Sequence, residues 1–163
     1  MSITTSSIAA AIDYLVTAVT TAMPNANVFD GPPTSDTQLT FDDRVWIGYS
    51  PLDPQTPAAA GDQDFHGLGA LRRDEDYAIV CAVEHWTGET AMQPIRDGAF
   101  ALLAAVETLI RGIGGNPGDT TLGGNVLWSG IGGALEVSQA QTTNGASVMI
   151  QFHIQCHNVL TAT

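Results

Sequence analysis

Asp76-Tyr77-Ala78-Ile79-Val80-Cys81-Ala82-Val83-Glu84-His85-Trp86 reads as one long apolar strand. Tyr77, Ile79, Cys81, Val83 and His85 share one face; Ala78, Val80, Ala82, Glu84 and Trp86 share the other. Both faces are largely apolar, so the strand is expected to be covered on both sides. A polar turn at Gly88-Glu89 follows, and Gln93 to Ile113 then reads as one long helix. Its buried stripe is Ile95, Ala99, Leu102, Leu103, Val106, Ile110 and Ile113, widened by Phe100 and Leu109. Thr90 with Gln93 fits a capping box, Pro94 suits a first turn, and Gly112, Gly114 and Gly115 end the helix.

Upstream of this unit, Ile8, Ile12, Leu15, Val16, Val19 and Met23 recur at steps of three and four. That is one helical face, opened by a serine cap at Ser6 or Ser7 and closed by Pro24. Val28-Phe29 is a short strand stopped by Asp30-Gly31-Pro32-Pro33. Thr34 to Asp43 is polar loop, and Arg44 to Tyr49 is a strand.

Ser50 to Arg73 is expected to be a long loop rich in proline, glycine and alanine. Loops of this length in compact domains usually do a job. Its Leu52, Phe65, Leu68 and Leu71 are too many apolar residues for a solvated linker. It either folds back on its own domain or docks on a neighbouring subunit.

Downstream, Asn125 to Ala140 reads as a strand broken by Gly130, Gly132 and Gly133, which suggest a bulge or sharp bend. Asn144-Gly145 signals a hairpin. In the last strand Val148, Ile150, Phe152, Ile154 and Cys156 point inward, and Met149, Gln151, His153, Gln155 and His157 outward.

At 163 residues the chain is expected to be a single domain spanning 1–163. The fold class is α+β: a small twisted mixed or antiparallel sheet of about four to five strands, with two main helices packed on it. Apolar residues make up 44%, which suits a globular core, but charged residues only 13%, about half the usual share. A surface so poor in charge is expected to be partly covered by partners.

The formal charge is −12, with Arg44, Arg72, Arg73, Arg96 and Arg111 the only basic residues besides histidine. Gripping nucleic acid needs a basic patch, and Asp74, Glu75 and Asp76 follow Arg72-Arg73 at once. Direct nucleic-acid binding is therefore not expected, although an acidic wall can still let DNA slide past. Cys81 and Cys156 lie inside apolar strand patterns and read as reduced core thiols of a cytoplasmic protein. The first residues carry no basic run, so they do not read as a signal peptide, and no apolar run reaches the length of a membrane span.

No catalytic or cofactor motif is visible. In a strand, His153 and His157 are about 13 Å apart, too far to share one metal ion, and Cys156 faces the other way. The glycines from Gly112 to Gly118 follow a helix, whereas a phosphate loop opens one, and there is no lysine for a P-loop. Asp42-Asp43 and Asp62 with Asp64 sit in polar stretches that give no burial to tune a pKa. No enzyme activity, cofactor or metal is expected.

The order helix, short strand, strand, long loop, strand, helix, two-strand hairpin resembles that of tail terminator proteins of long-tailed, siphovirus-like bacteriophages. Arg96-Asp97-Gly98-Ala99-Phe100-Ala101-Leu102-Leu103-Ala104-Ala105-Val106-Glu107 is similar to that family's second helix. Asp119-Thr120-Thr121-Leu122-Gly123-Gly124-Asn125-Val126 resembles its D-x-x-L-G-G-x-V lead-in to the penultimate strand. Phe152-His153-Ile154-Gln155-Cys156 resembles its closing strand, and Val28-Phe29-Asp30-Gly31 also fits. The resemblance spans nearly the whole chain; the stretch from Ser50 to Arg73 departs from it in length and proline content.

The resemblance implies a virion structural protein, assembled in the host cytoplasm and resident in the tail or neck. It implies a homohexameric ring at the head-proximal end of the tail tube, which stops tube polymerisation and joins the tail to the head connector. The implied partners are further copies of the chain, the tail tube protein and the connector or stopper protein; DNA passes through the lumen without specific binding, and no membrane is involved. Candidate interface residues are Leu52, Phe65, Leu68, Leu71, Arg72, Arg73, Arg96 and Arg111. The alternatives are another neck or connector component, a tail tube subunit, or a small-ligand-binding domain lined by Trp46, Trp86, Trp128 and Phe65.

Overall fold

Two long antiparallel strands, β4 (Arg72–Thr87) and β7 (Gly145–Thr161), form the spine of the molecule, paired from Arg72 opposite Thr161 to Thr87 opposite Ala146. The structure, a computed structural model, describes residues 4–34, 41–67, 71–112, 114–115 and 117–161. Around the spine lie α1 (Ile8–Ala22), β1 (Ala26–Asp30), β2 (Asp43–Ile47), β3 (Ala59–Phe65), α2 (Met92–Arg111), β5 (Trp128–Ile131) and β6 (Glu136–Thr142). The fold is α+β, with two helices and an open, mixed seven-stranded sheet in the order β1-β2-β4-β7-β5. β3 pairs with β4 and β6 pairs with β7. β1 runs parallel to β2, and every other pair is antiparallel.

Seven strands exceed the expected four to five because β3 forms within the segment expected to be loop and because the strand expected over 125–140 is interrupted. Ile47 of β2 pairs with Cys81, and Ala59 of β3 pairs with Ile79, so the chain leaves the edge of β4 and rejoins it two residues further along. Gly48 donates its N–H to Val80 O at 2.8 Å, and the Val80 N–H donates to Ala58 O at 3.1 Å, closing the excursion at both ends. Likewise Ile131 of β5 pairs with Ile154 and Glu136 of β6 with Gln151 on one edge of β7. The break falls at Gly132-Gly133, where the sequence suggests a bulge, and Gly133 has φ 83°.

The segment from Ser50 to Arg73 is thus not loop throughout. Its second half is β3, paired along its whole length with the first half of β4, which itself begins at Arg72 rather than Asp76. The closing hairpin places Thr142 opposite Gly145, so its turn is Thr143-Asn144, one residue before the signal.

Both helices lie on one face of the sheet. α1 buries Ala11, Leu15 and Val19, and α2 buries Ile95, Ala99, Leu103, Val106 and Ile110. They pack on Val45, Ile47, Tyr77, Ile79, Cys81, Val83, Val148, Ile150, Phe152, Ile154 and Cys156. Each of the large aliphatic side chains contributes about 1.5–3 kcal/mol on burial. The inward set expected for the last strand is buried, and so is Gln151 of the outward set. Phe100, expected to widen the α2 stripe, instead stands 39% exposed on the flank. Ile113 falls outside the described residues, and the helix ends at Arg111.

The capping box does not form. α2 begins after Ala91 with no side-chain cap, so Thr90 lies one residue too early. The second sheet face is also buried along its middle, at Trp46, Val80, Ala82, Glu84 and Gln151.

Candidate assembly surface

β3 and the start of β4 form a hairpin arm whose outer end, the tip, is marked by Phe65 and Arg73, the last register pair. Six of the seven residues of β3 are exposed, because β3 is an edge strand with no helix beneath its outer half. At the tip Leu71 is 77% and Phe65 74% exposed, the highest values for large apolar residues among those described. Phe65 is the last residue of β3, and Leu71 directly precedes β4.

The two tip arginines differ. Arg73 donates to Gln63 Oε1 at 2.9 Å and lies over the Phe65 ring at 5.9 Å. Arg72 is exposed and has no side-chain partner among the described residues.

A buried carboxylate fastens the arm to the body. Glu75 is 1% exposed and sits at the N-terminus of α1. Its Oε1 accepts the Ser7 backbone N–H at 2.8 Å and the Ser7 hydroxyl at 2.6 Å, and its Oε2 accepts from Gln63 of β3. Burial pushes the Glu75 carboxyl up, but the hydrogen bonds from Ser7, Ser6 and Gln63 outweigh it and hold the pKa below the usual value. A carboxylate there also meets the positive end of the helix dipole. Of the two serines expected as alternatives to cap α1, Ser6 accepts the Ile8 N–H on its Oγ at 3.1 Å, whereas Ser7, at the N-cap position, makes no side-chain cap bond; the charge at this helix end comes from a residue distant in sequence. Burial also raises the Tyr77 hydroxyl, which lies 3.0 Å from Ser7 Oγ. Gly61 completes the joint: an added Cβ would lie 2.0 Å from Asp76 O, so β3 can approach β4 this closely only at a glycine.

The candidate residues are brought together in part. Phe65, Leu71, Arg72 and Arg73 converge on the tip. Leu68 lies outside the described residues. Leu52 is half-buried in the excursion that precedes β3, so the length of β3, about 20 Å at ~3.3 Å per residue, separates that end from the tip. Arg96 donates its Nε to Gln139 Oε1 at 2.9 Å, tying α2 to β6. Arg111 pairs with Glu107 at 2.8 Å within α2.

Sequence reasoning missed a trough on the opposite sheet face, beside Trp128. It has a volume of about 270 Å³, with Ala60, Ala78 and Gln155 in its lining and Trp128 as one wall. Trp128 is 52% and Leu127 58% exposed. Asp76 borders the trough and pairs with His157 at 2.7 Å, and Asp62 stands opposite Asp76 in register. An indole left half uncovered is the signal that could have found it, but exposure is not visible in a sequence.

The four aromatics of the ligand-pocket alternative are dispersed. Trp46 is buried and stacks on Phe29 at 5.5 Å, Trp86 is opposite Ser147, Trp128 is opposite His157, and Phe65 is at the arm tip. On the second face Arg44 pairs with Glu84 at 3.4 Å. Burial raises the Glu84 pKa and Arg44 opposes it. Arg44 Nε, Trp46 Nε1 and Gln151 Oε1 are buried there without a hydrogen-bond partner among the described residues.

The Asp119 carboxylate organises the glycine-rich turn before β5, accepting the Thr121 N–H at 2.9 Å and the Gly123 N–H at 2.8 Å; these bonds and that of the Thr121 hydroxyl hold its pKa down. That turn places Leu122, with φ 48°, in the core. Cys81 is buried, which pushes its thiol up to about 12, a poor nucleophile. Among the described residues no group of three or more His, Cys, Asp or Glu is placed to hold a metal ion, and no helix is long and apolar enough to cross a membrane. No protein-family model matches the sequence, and no curated protein matches it.

Proposed function

We propose that this protein is a structural subunit of a phage tail, a terminator that forms a closed ring at the head-proximal end of the tail tube. It stops tube growth and offers the face on which the head connector docks. The hairpin arm is the observation that carries the reading: it projects two exposed apolar side chains, and an arginine with no side-chain partner among the described residues, from a firmly anchored base. Such a tip serves contact with protein, and head-to-tail contact between copies closes a ring when the rotation permits. The acidic balance, −12, supports passage of DNA through such a ring without adhesion. Assembly takes place in the host cytoplasm, and the mature location is the tail or neck of the virion.

The test is capping. Purified protein added to growing tail tubes shortens them and appears as a terminal ring in negative stain. A protein that itself grows into long tubes would instead be a tube subunit, the second structural reading. That reading draws on the same exposed edges, β3 and β6.

A further inference from the structure

We infer that consecutive copies join edge to edge, the free edge of β3 in one copy pairing antiparallel with the free edge of β6 in the next. Each strand has seven residues and a single strand partner, β4 for β3 and β7 for β6. No backbone hydrogen bond among the described residues reaches either outer edge. Native sheets blunt a free edge with lysine, proline, a bulge or a covering segment. β6 has neither lysine nor proline, and all seven of its residues are exposed.

The backbones of the two edges match. His66 donates its N–H to Arg72 O and Val80 to Ala58 O, so the even-numbered residues of β3 bond to β4. Ala59, Gly61, Gln63 and Phe65 therefore turn their backbone groups outward. The two-residue turn after Thr142 makes Thr142 and Gly145 a bonded pair, so Val137, Gln139 and Gln141 are the outward residues of β6. In both sets the side chains lie on the helix face: Gly61 stands opposite Tyr77, and Val137 opposite Ile150. One continuous sheet requires this agreement, since residues paired across strands share a face. β3 and β6 also run in opposite directions, so a neighbour set alongside in the same orientation presents β6 antiparallel to β3.

One register also satisfies the side chains. It sets Phe65 opposite Val137 and Gln63 opposite Gln139 on the helix face, with Asp62 opposite Ala140 and Asp64 opposite Ser138 on the other. Phe65 and Val137, 74% and 44% exposed in the single copy, then cover one another as an aromatic and β-branched pair. A slip of two residues one way puts Asp64 opposite Glu136, and two the other way leaves Val137 opposite Gly67. A slip of one reverses the faces. Acids disfavour a second β3 as the partner: Asp62 and Asp64 already stand opposite Asp76 and Asp74, and a second β3 adds two more aspartates to that face. Agreement of β3 with β6 in length, direction, face and register names a second copy of this chain as the occupant. Two different edges meet, so the contact is head-to-tail rather than a reciprocal two-fold one. The inference rests on the ring reading for the existence of an assembly, and adds which strands join.

The experiment uses full-length wild type, Ala140→Asp, Asp62→Lys and the double variant, with circular dichroism to confirm folding and light scattering over a concentration series to give mass. Both positions are exposed, so the fold is expected to survive. They lie on opposite edges of one sheet, so coupling between them arises only where two copies meet. Ala140→Asp sets an acid against Asp62 of the next copy and should need at least about fivefold higher concentration to assemble. Asp62→Lys should reverse this loss, and its gain should be larger in the Ala140→Asp background than in wild type. If wild type forms rings and Ala140→Asp assembles equally well, the strand pairing fails and the ring reading stands. Equal gains from Asp62→Lys in both backgrounds would be a general charge effect and would also overturn the pairing. A second measurement mixes Asp62→Cys with Ala140→Cys under oxidation. These face each other as a non-bonded pair, about 4.5 Å between Cα atoms, within reach of a disulfide. Both native cysteines are buried. A cross-linked pair from a wild type that is monomeric would uphold the contact and count against a free ring. A monomeric wild type with no cross-link would overturn both.

Discussion

Replacing Glu75 with glutamine keeps the shape of the side chain and removes the charge that joins α1 to the arm. Three donors converge on this carboxylate: the Ser7 N–H, the Ser7 hydroxyl and the Gln63 amide. A hydrogen bond to a charged acceptor contributes about 1.5–3 kcal/mol, against about 0.5–1.5 kcal/mol for a neutral one. Loss of the charge at the helix N-terminus adds about 0.5–1 kcal/mol. Glutamine avoids the desolvation of a buried charge, which offsets part of this, so the expected net loss is about 2 kcal/mol. For a domain of this size that is a fall in Tm of about 4–8 °C.

The pH dependence follows from the direction of the shift. The folded Glu75 pKa lies below its unfolded value, so its stabilisation is fully present above about pH 4.5 and fades as pH falls through the folded value. Urea unfolding of wild type and Glu75→Gln between pH 7 and pH 3 measures both effects. The gap between the two proteins should be widest near neutrality and close in acid. A gap under about 0.5 kcal/mol at pH 7, or one that persists unchanged at pH 3, would refute the assignment of Glu75 as the charged anchor.

Further outcomes are expected elsewhere. Gly61→Ala forces a Cβ to within 2.0 Å of Asp76 O, so the arm should detach; faster hydrogen exchange at the Asp76 and Ala78 amides, which face β3, would report it. Phe152→Ala opens a cavity at a side chain with no exposure and should cost about 3–5 kcal/mol by denaturant unfolding. Arg44→Met removes the group that opposes the burial of Glu84, whose pKa is already raised. Stability of that variant should fall as pH rises from about 4.5 through the raised value, a slope that wild type shows more weakly. Arg111→Glu replaces a surface pair with like-charge repulsion from Glu107 and puts an anion in the last turn of α2, so it should lower stability by about 1 kcal/mol. Arg96→Glu should perturb assembly more than folding, read by light scattering beside thermal unfolding.

The spine of the fold is legible because it obeys the two periods of secondary structure. β7 alternates cleanly and β4 is apolar on both faces, and α2 carries its stripe at helical spacing. β3 is not legible, for a physical reason. Ala59-Ala60-Gly61-Asp62-Gln63-Asp64-Phe65 shows no apolar alternation because nothing covers the strand. What holds it is the backbone edge of β4, and backbone pairing leaves no signature in side chains. The same is true of β6, where all seven residues are exposed. The arm residues were visible as apolar residues in a polar stretch, but their convergence depends on a hairpin that the sequence conceals. Glu75 was hidden as one acid among seventeen, since its role exists only once β4 meets α1. The trough needs three strands in register before Trp128, Ala78 and Ala60 become neighbours.

The ring is the central claim, and its most direct test is the mass of the purified protein across a concentration series, with the peak imaged in negative stain. A 17.0 kDa chain that closes into rings of about six copies gives one discrete assembly near 100 kDa, stable in size as concentration rises. Open tubes of growing length, or a strict monomer that also fails to cap tail tubes, would contradict the account.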